Sequence, residues 1–597
     1  MPVHNADIAR VFEEIADLLE IEGANPFRVR AYRNAARTVG DLRLDVAATL
    51  AAGRPLPKLP GIGADLQAKI EEIAATGSCA LLGRLRRELP AAITELLRIP
   101  GLGPKRVKTL HDTLGITTLP QLLEAARTGR VKAIPGFGDK TERRIAEAVQ
   151  ARLGQTRRFK LAVAAQYAEP LAAYLRAAPG VREVVLAGSF RRMKETVGDI
   201  DVLATTEAAA PVMERFVRYP EVREVLAHGD TRSSVVLQSG LQVDLRVVPP
   251  ASFGAALHYF TGSKAHNIAV RRLAQAHGLK LNEYGVFKGA RQVAGATEES
   301  VFEAVGLPWI PPELREDRGE LEAAARGELP RLVALEDLRG DLHVHTKASD
   351  GRGTLKEMAL AAQARGLEYI AITEHSQRER QARGLDPVRL LKQLDEIDRL
   401  NAALTGITLL KGIEVDVLED GSLDLPDGAL ARLDVVVAAV HTQLGLPRAR
   451  QTERVLRALD NPYVSVLAHP SGRLIDERAP SELDMQAVIR RAKARGVALE
   501  INAHPDRLDL DDVHARLARE EGALVAVNSD AHGADDFAHL AYGIGQARRG
   551  WLAAGDLLNT RSLAALRQHL AGRRPAAANR RSAARKAVSR TGGGQRA

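Results

Sequence analysis

The sequence predicts a multidomain chain with a helical N-terminal region, a mixed α+β middle and a C-terminal seven-stranded β/α barrel. Three observations predict it. A Pro-Gly-x-Gly turn recurs three times between helical patterns near the N-terminus. From about Val181 to Val248, short Val/Leu-rich strands alternate with helices. Beyond Arg339, seven strand-like runs are separated by helical stretches.

The length of 597 residues is too great for one core, and 45% hydrophobic with 27% charged residues is an ordinary soluble composition. No apolar run is long enough to span a bilayer. Met1 to Glu22 reads as an amphipathic helix rather than a signal peptide, so the cytoplasm is the expected compartment. Cys79 is the sole cysteine, which excludes an intrachain disulfide and a thiolate zinc cluster. The net charge of +9 is unevenly placed. Residues 1–157 hold 24 basic and 18 acidic side chains, and residues 572–597 hold eight basic and none acidic, so 158–571 is net acidic. Basic flanks around an acidic middle fit phosphate binding beside metal-binding carboxylates, and the tail is expected to be disordered.

The helical repeats are Leu59-Pro-Gly-Ile-Gly63, Ile99-Pro-Gly-Leu-Gly103 and Ile134-Pro-Gly-Phe-Gly138. Such a turn exposes backbone N–H groups that hold a phosphate oxygen without reading bases. A single turn of this kind is usually only a turn. Three at regular spacing in a net-basic segment favour helix-hairpin-helix DNA binding through Gly61, Gly63, Gly101, Gly103, Gly136 and Gly138.

In the middle region, Gly198-Asp-Ile-Asp201 and Val243-Asp-Leu-Arg246 both alternate on strands. Asp199 and Asp201 therefore share one face while Ile200 and Val202 turn to the core, and Asp244 sits likewise. Carboxylates that converge need a cation, and hard oxygen donors suit two Mg²⁺ or Mn²⁺ ions clamping a nucleoside triphosphate. Upstream, Val184 to Ser189 is a strand running into a Gly-Ser turn with Arg191 and Arg192 beyond it, a phosphate cradle. The combination points to a nucleotidyltransferase.

At these residues the chain resembles the family X DNA polymerases, the DNA polymerase β group, over roughly residues 1–310. The matching text is Gly188-Ser-Phe-Arg-Arg192, Gly198-Asp-Ile-Asp201, Val243-Asp-Leu-Arg246, Tyr259-Phe-Thr-Gly-Ser263 and Asn282-Glu-Tyr284. The resemblance implies that Asp199, Asp201 and Asp244 hold two catalytic metals. It places Ser189 and Arg192 at the triphosphate, Tyr259 with Phe260 against the sugar, and Asn267 and Arg271 in the minor groove near the nascent pair, with Gly188, Gly198 and Gly262 also among the nucleotide-binding residues. Lys69 matches a lysine that forms a Schiff base while removing a 5′-deoxyribose phosphate. Ala64 and Asp65 depart from the family there, where relatives often carry a basic residue.

In the C-terminal half, ionisable residues fall near the ends of the expected strands Asp341–Thr346, Tyr369–His375, Thr408–Val417, Val435–His441, Val464–Pro470, Ala498–Ala503 and Leu524–Asp530. They are His343, His345, His375, Glu414, His441, His469, Asp530 and His532, with Asp350 in the first loop. In a parallel barrel these ends meet at one face. Mixed imidazole and carboxylate donors suit Mn²⁺, Zn²⁺ or iron, and nine of them call for two or three ions. Here the chain resembles the PHP (polymerase and histidinol phosphatase) domain over roughly 338–570, on Asp341-Leu-His-Val-His345, Thr373-Glu-His375, Gly412-Ile-Glu414, His441-Thr442, Ala468-His-Pro470 and Asn528-Ser-Asp-Ala-His532. The resemblance implies a trinuclear centre bridged by Glu414 and a 3′–5′ exonuclease acting on DNA 3′ ends. Glu374 stands where relatives commonly have Asp.

The organisation expected is a lyase-like helix-hairpin-helix domain over 1–80, a second over 81–157, a nucleotidyltransferase palm over 158–250, a thumb over 251–315, a linker over 316–338, the PHP barrel over 339–571 and the tail. The expected protein is a monomeric, nucleoid-associated gap-filling polymerase of base excision repair, acting on gapped or nicked DNA with deoxynucleoside triphosphates. Three rivals fit parts of the pattern: a template-independent nucleotidyltransferase, a DNA-end-binding scaffold with an inactive barrel, and a polymerase with an appended small-molecule phosphatase.

Overall fold

Apolar spacing sets each N-terminal helix. In Asn5–Glu22, Ile8, Phe12, Ile15 and Leu19 form a buried stripe and Gly23 ends the helix in the left-handed region at φ 83°. The computed structural model describes residues 3–40, 42, 44–59, 61–153 and 158–573; most of the basic tail lies outside them. The described chain forms two compact units. The first runs to Ala187 and includes Thr196–Phe253; the second comprises Gly188–Glu195 and everything from Gly254 onward. No helix of the described residues is long and apolar enough to cross a membrane.

In the first unit, each of the three turns follows one pattern. Ile62, Leu102 and Phe137 donate their N–H to the carbonyls of Leu59, Ile99 and Ile134, and Gly61, Gly101 and Gly136 take φ of 73°, 88° and 89°. Helices Ala64–Thr76 and Pro104–Leu114 then begin at Gly63 and Gly103, neither capped by a side chain, and Asp139–Leu153 follows Gly138. The same unit holds a five-stranded sheet in the order Val181–Leu186, Asp199–Thr206, Gln242–Val248, Arg232–Leu237, Val222–His228. The second and third of these run parallel and the other pairs antiparallel.

In the second unit, helices Phe253–Thr261, Lys264–Ala276 and Glu298–Ala304 pack with a three-stranded sheet, Lys280–Asn282, Gly285–Lys288 and Arg291–Ala294. Residues 316–338, expected as a linker, are packed instead. Glu320 is fully buried with its Oε1 2.6 Å from His266 Nδ1, and Val333 N donates to Leu552 O at 2.9 Å. Their charge-rich composition reads as solvated, but several of the charges find fixed partners, among them Glu316, Arg318 and Glu320.

The barrel follows as seven parallel strands paired in chain order: Gly340–Val344, Tyr369–Ile372, Thr408–Asp416, Val435–Ala439, Val466–Leu467, Ala498–Asn502 and Val525–Asn528. Its seam is drawn by a parallel bridge between Val344 and Ala531 and by His345 N donating to Ala531 O at 2.8 Å. Both strand faces are apolar, as a covered parallel sheet requires. Ile370, Ile413, Val436 and Leu499 face the helices, while Tyr369, Ala371, Leu410, Val437 and Ala526 form a second cluster with Leu566 of the C-terminal helix Leu563–Gly572. Most strands stop earlier than the sequence implies, because the chain leaves the ladder where side chains turn into the site. His469 at φ 26° and Asp530 at φ 54° are non-glycine residues in the left-handed region at those ends.

Candidate active sites and metal centres

The acidic site of the first unit is set by strand register. Asp201 lies opposite Asp244 on the parallel neighbour, and Asp199 opposite Gln242. Ile200, Val202, Val243 and Leu245 are buried between these positions, so the carboxylates share the other face. Asp244 is oriented from two sides, by the Ser234 hydroxyl, its antiparallel partner in register, and by Gln242 Nε2 at 3.1 Å. Partial desolvation and then the Asp244 charge hold the Asp199 carboxyl above its ordinary value, although its side chain still reaches solvent. Carboxylates held this close on neighbouring strands form a donor set that divalent cations fit.

In the second unit, Gly188 and Ser189 open the short helix Gly188–Arg191. Arg191 makes a two-pronged ion pair with buried Glu298, at 2.8 and 2.9 Å. Arg192 donates through Nε to Glu316 at 2.9 Å and through Nη1 to the Thr261 carbonyl at 2.7 Å. Tyr259 and Phe260 are half-buried with ring centroids 5.0 Å apart, and the Arg271 guanidinium lies 5.5 Å from the Tyr259 ring. Asn267 is buried, and its Nδ2 donates to the carbonyls of Tyr259 and Gly262 at 2.6 and 3.2 Å. Gly262 is required there, since a Cβ would lie 2.4 Å from Asn267 Oδ1.

Lys69 lies in its helix with Nζ 2.5 Å from Asp65 Oδ1, one turn earlier. Burial pulls its ammonium down, but the Asp65 hydrogen bond outweighs that and leaves it above the ordinary lysine value. A Schiff-base lysine needs the opposite shift.

At the barrel mouth the nine expected donors come together. Glu414 is central: Oε1 lies 3.1, 3.2 and 3.5 Å from His469, His441 and His343, and Oε2 lies 2.7 and 3.7 Å from His375 and His345. Each oxygen thus faces its own set of imidazoles, the geometry of a bridging carboxylate. Asp530 lies 3.4 and 3.2 Å from Nε2 of His343 and His345. Asp350 lies 3.5 and 3.4 Å from Nε2 of His375 and His532. Among the described residues, four groups have donors close enough to share an ion: His345, Asp350, His375 and His532; His343, His345 and Asp530; His375, Glu414 and His441; and Glu379, Asp416 and His441. His343 Nε2 and both His345 nitrogens are buried without a hydrogen-bond partner among the described residues, which is costly unless a cation takes them. Burial pushes the His345 imidazole down to about 4, keeping it in the neutral form that a metal requires.

The supporting partners escaped the sequence reading. Glu500 is buried, accepts from His469 N at 2.7 Å and Asn528 Nδ2 at 2.9 Å, and lies 2.8 Å from His343 Nδ1; Asp416 lies 3.0 Å from His441 Nδ1. Both fix ring orientation. Their signal was alternation: Asp416 is two residues beyond Glu414, and Glu500 is a lone acid in an apolar strand. Glu374 faces away from the cluster and accepts from Thr346 N, Ser349 N and Gln393 Nε2 at 3.1, 3.2 and 2.7 Å, bracing the loop that carries Asp350. Arg507 also went unnoticed, with Nε 3.9 Å from Asp530.

Comparison with known proteins agrees with this layout. Residues 3–79 match a helix-hairpin-helix domain, 93–151 a SAM-like helix-hairpin-helix tandem, 256–316 the DNA polymerase beta thumb and 341–504 the PHP domain. A Bacillus subtilis protein named DNA polymerase/3′-5′ exonuclease PolX is 38% identical over 565 residues, 94% of this chain and 98% of that one. Probable phosphatases align with the C-terminal part. One from a Thermoanaerobacter strain is 31% identical over 37% of this chain and 89% of its own length, and one from Acetivibrio thermocellus is 35% identical over 32% and 78%. A relative matched from end to end, a polymerase β-type thumb and a seven-stranded PHP barrel in one polypeptide together place this chain in the bacterial family X DNA polymerases.

Proposed function

We propose that the protein is a template-directed DNA polymerase that fills short gaps during base excision repair, and that its barrel trims DNA 3′ ends as a metal-dependent 3′–5′ exonuclease. The observation that carries the polymerase reading is Asp201 in register with Asp244, with Asp199 within electrostatic reach. These three carboxylates would hold two Mg²⁺ or Mn²⁺ ions, which when bound activate a primer 3′-hydroxyl and stabilise departing pyrophosphate. Ser234 and Gln242 keep the Asp244 carboxylate aimed. Ser189 and Arg192 bind the triphosphate, Tyr259 and Phe260 meet the sugar, and the three hairpins grip the DNA backbone on both sides of the gap.

The barrel reading rests on Glu414 facing separate imidazole sets with its two oxygens. The nine donors would hold two or three Mn²⁺, Zn²⁺ or iron ions, which when bound supply the nucleophile and polarise the phosphoester. The probable phosphatases that align with this part support a second activity of the same centre, removal of a terminal 3′-phosphate. The test is a gapped duplex offered with Mg²⁺ or Mn²⁺, beside the same primer without template and a primer ending in 3′-phosphate. Extension should require the template and the gap, and Mn²⁺ should support end trimming. Equal extension without template sinks the polymerase reading.

Lyase chemistry at Lys69 is expected to be weak in the native chain, because Asp65 keeps the amine protonated. Asp65→Ala should raise the borohydride-trapped adduct with a 5′-deoxyribose phosphate about tenfold, because losing the Asp65 hydrogen bond and charge frees more of the neutral amine. Trapping that is absent from both proteins ends the proposal that Lys69 is a nucleophile.

A further inference from the structure

The segment that follows the Gly-Ser turn is built into the barrel's framework. Met193, at φ 54°, packs on Gly545 of the barrel helix Leu540–Arg549, where an added Cβ would lie 2.6 Å from its Cε. Glu195 Oε2 accepts from Arg473 at 2.6 Å. Between these anchors, buried Arg549 donates through Nη1 both to the Arg192 carbonyl at 2.9 Å and to Glu316 Oε1 at 3.0 Å, while its Nη2 donates to Asp512 at 2.6 Å. Glu316 Oε1 is the same oxygen that accepts from Arg192 Nε at 2.9 Å. One carboxylate therefore serves two guanidiniums, and Lys194 Nζ stands 4.0 Å away. Burial pushes the Glu316 carboxyl up, but Arg192 and Arg549 outweigh it and hold it below its ordinary value.

The geometry points to Arg549 as a positioning residue for the polymerase reaction: a barrel side chain that sets the Arg192 guanidinium for the triphosphate of the incoming nucleotide. This rests on the reading that Arg192 binds that triphosphate. Arg549 acts in two ways. Its bond to the Arg192 carbonyl fixes the backbone that carries the guanidinium. Its share of Glu316 leaves that carboxylate only partly engaged with Arg192; Arg318 also binds Asp512, at 2.8 Å, so the guanidiniums of Arg192, Arg318 and Arg549 outnumber the carboxylates of Glu316 and Asp512 and the cluster keeps a net positive charge. Among the described residues, no acceptor takes a bond from Arg192 Nη2, the donor left for a phosphate oxygen. Without Arg549, Glu316 would neutralise Arg192 one to one and the loop would lose its central anchor. The barrel is then part of the nucleotide site without touching the nucleotide.

The test is single-nucleotide gap filling by the full chain, separating KM for the deoxynucleoside triphosphate from kcat, with thermal unfolding as the check on folding. Arg549→Met should raise that KM about five- to tenfold and change kcat less than about twofold, the signature of lost nucleotide binding. Arg549→Lys, which keeps the charge but loses the fork, should raise it about two- to fourfold, and it decides the matter if the methionine variant does not fold. Arg192→Ala combined with Arg549→Met should be no worse than Arg192→Ala alone. The inference is overturned if Arg192→Ala raises KM while folded Arg549 variants keep the wild-type value or lower only kcat. If Arg192→Ala leaves KM unchanged, the triphosphate reading of Arg192 fails and takes this inference with it.

Discussion

Replacing Asp244 with asparagine should abolish primer extension across a gap, by on the order of 10³-fold or more, about 4 kcal/mol of lost transition-state stabilisation. The substitution keeps the side chain's shape and an oxygen for the Ser234 hydroxyl, but removes the charge that faces Asp201 in register. Because the Asp244 charge helps to raise the Asp199 carboxyl, the variant should also bring Asp199 back toward its ordinary value. A carboxyl raised in the folded state favours folding at low pH and opposes it as pH rises through the raised value. In chelator at neutral pH, Asp244→Asn should therefore unfold at the wild-type temperature or slightly above it, while its 3′-end trimming is untouched. Extension at wild-type rate by this variant would remove the polymerase site from these strands.

Glu414→Gln should produce the reciprocal defect. Nuclease activity with Mn²⁺ should fall on the order of 10³-fold, and elemental analysis of the purified protein should find about one or two fewer metal ions per chain. Glutamine keeps the length of the side chain but offers one acceptor where Glu414 offers two to five surrounding imidazoles. His343→Ala should act in the same direction, since it removes a donor facing both Glu414 and Asp530 and takes one of several partners from Glu500. Gap filling by both variants should match the wild type. Unchanged metal content and trimming in Glu414→Gln would place the nuclease elsewhere.

What the sequence makes legible is whatever follows from short-range periodicity. Two-residue alternation places Asp199 and Asp201 on one face, and the β/α rhythm brings histidines far apart in the chain to one end of a barrel. The three turns are legible because each needs one glycine in the left-handed region, at Gly61, Gly101 and Gly136, inside a Pro-Gly-x-Gly pattern that recurs at near-regular spacing. The linker misreading has the opposite origin. Glu320 carries a charge that normally seeks water, and nothing nearby in the chain announces that His266 will meet it in the interior. The partnership of Arg192 with Glu316 spans 124 residues and has no local signature. Lys69 shows a signal that could have been used: Asp65 stands one helical turn before it, the spacing at which such pairs form.

The seam of the barrel has a consequence for how the chain matures. Neighbouring strands pair in the order in which they leave the ribosome, so each β/α unit can dock on the one before it as synthesis proceeds. Only the junction of Val344 with Ala531 joins the earliest strand to the latest. His343 and His345 wait on one lip of that junction, and Asp530 and His532 arrive on the other nearly two hundred residues later. Ion loading that uses both lips thus becomes a late event in the life of the nascent polypeptide, one that marks the barrel as finished.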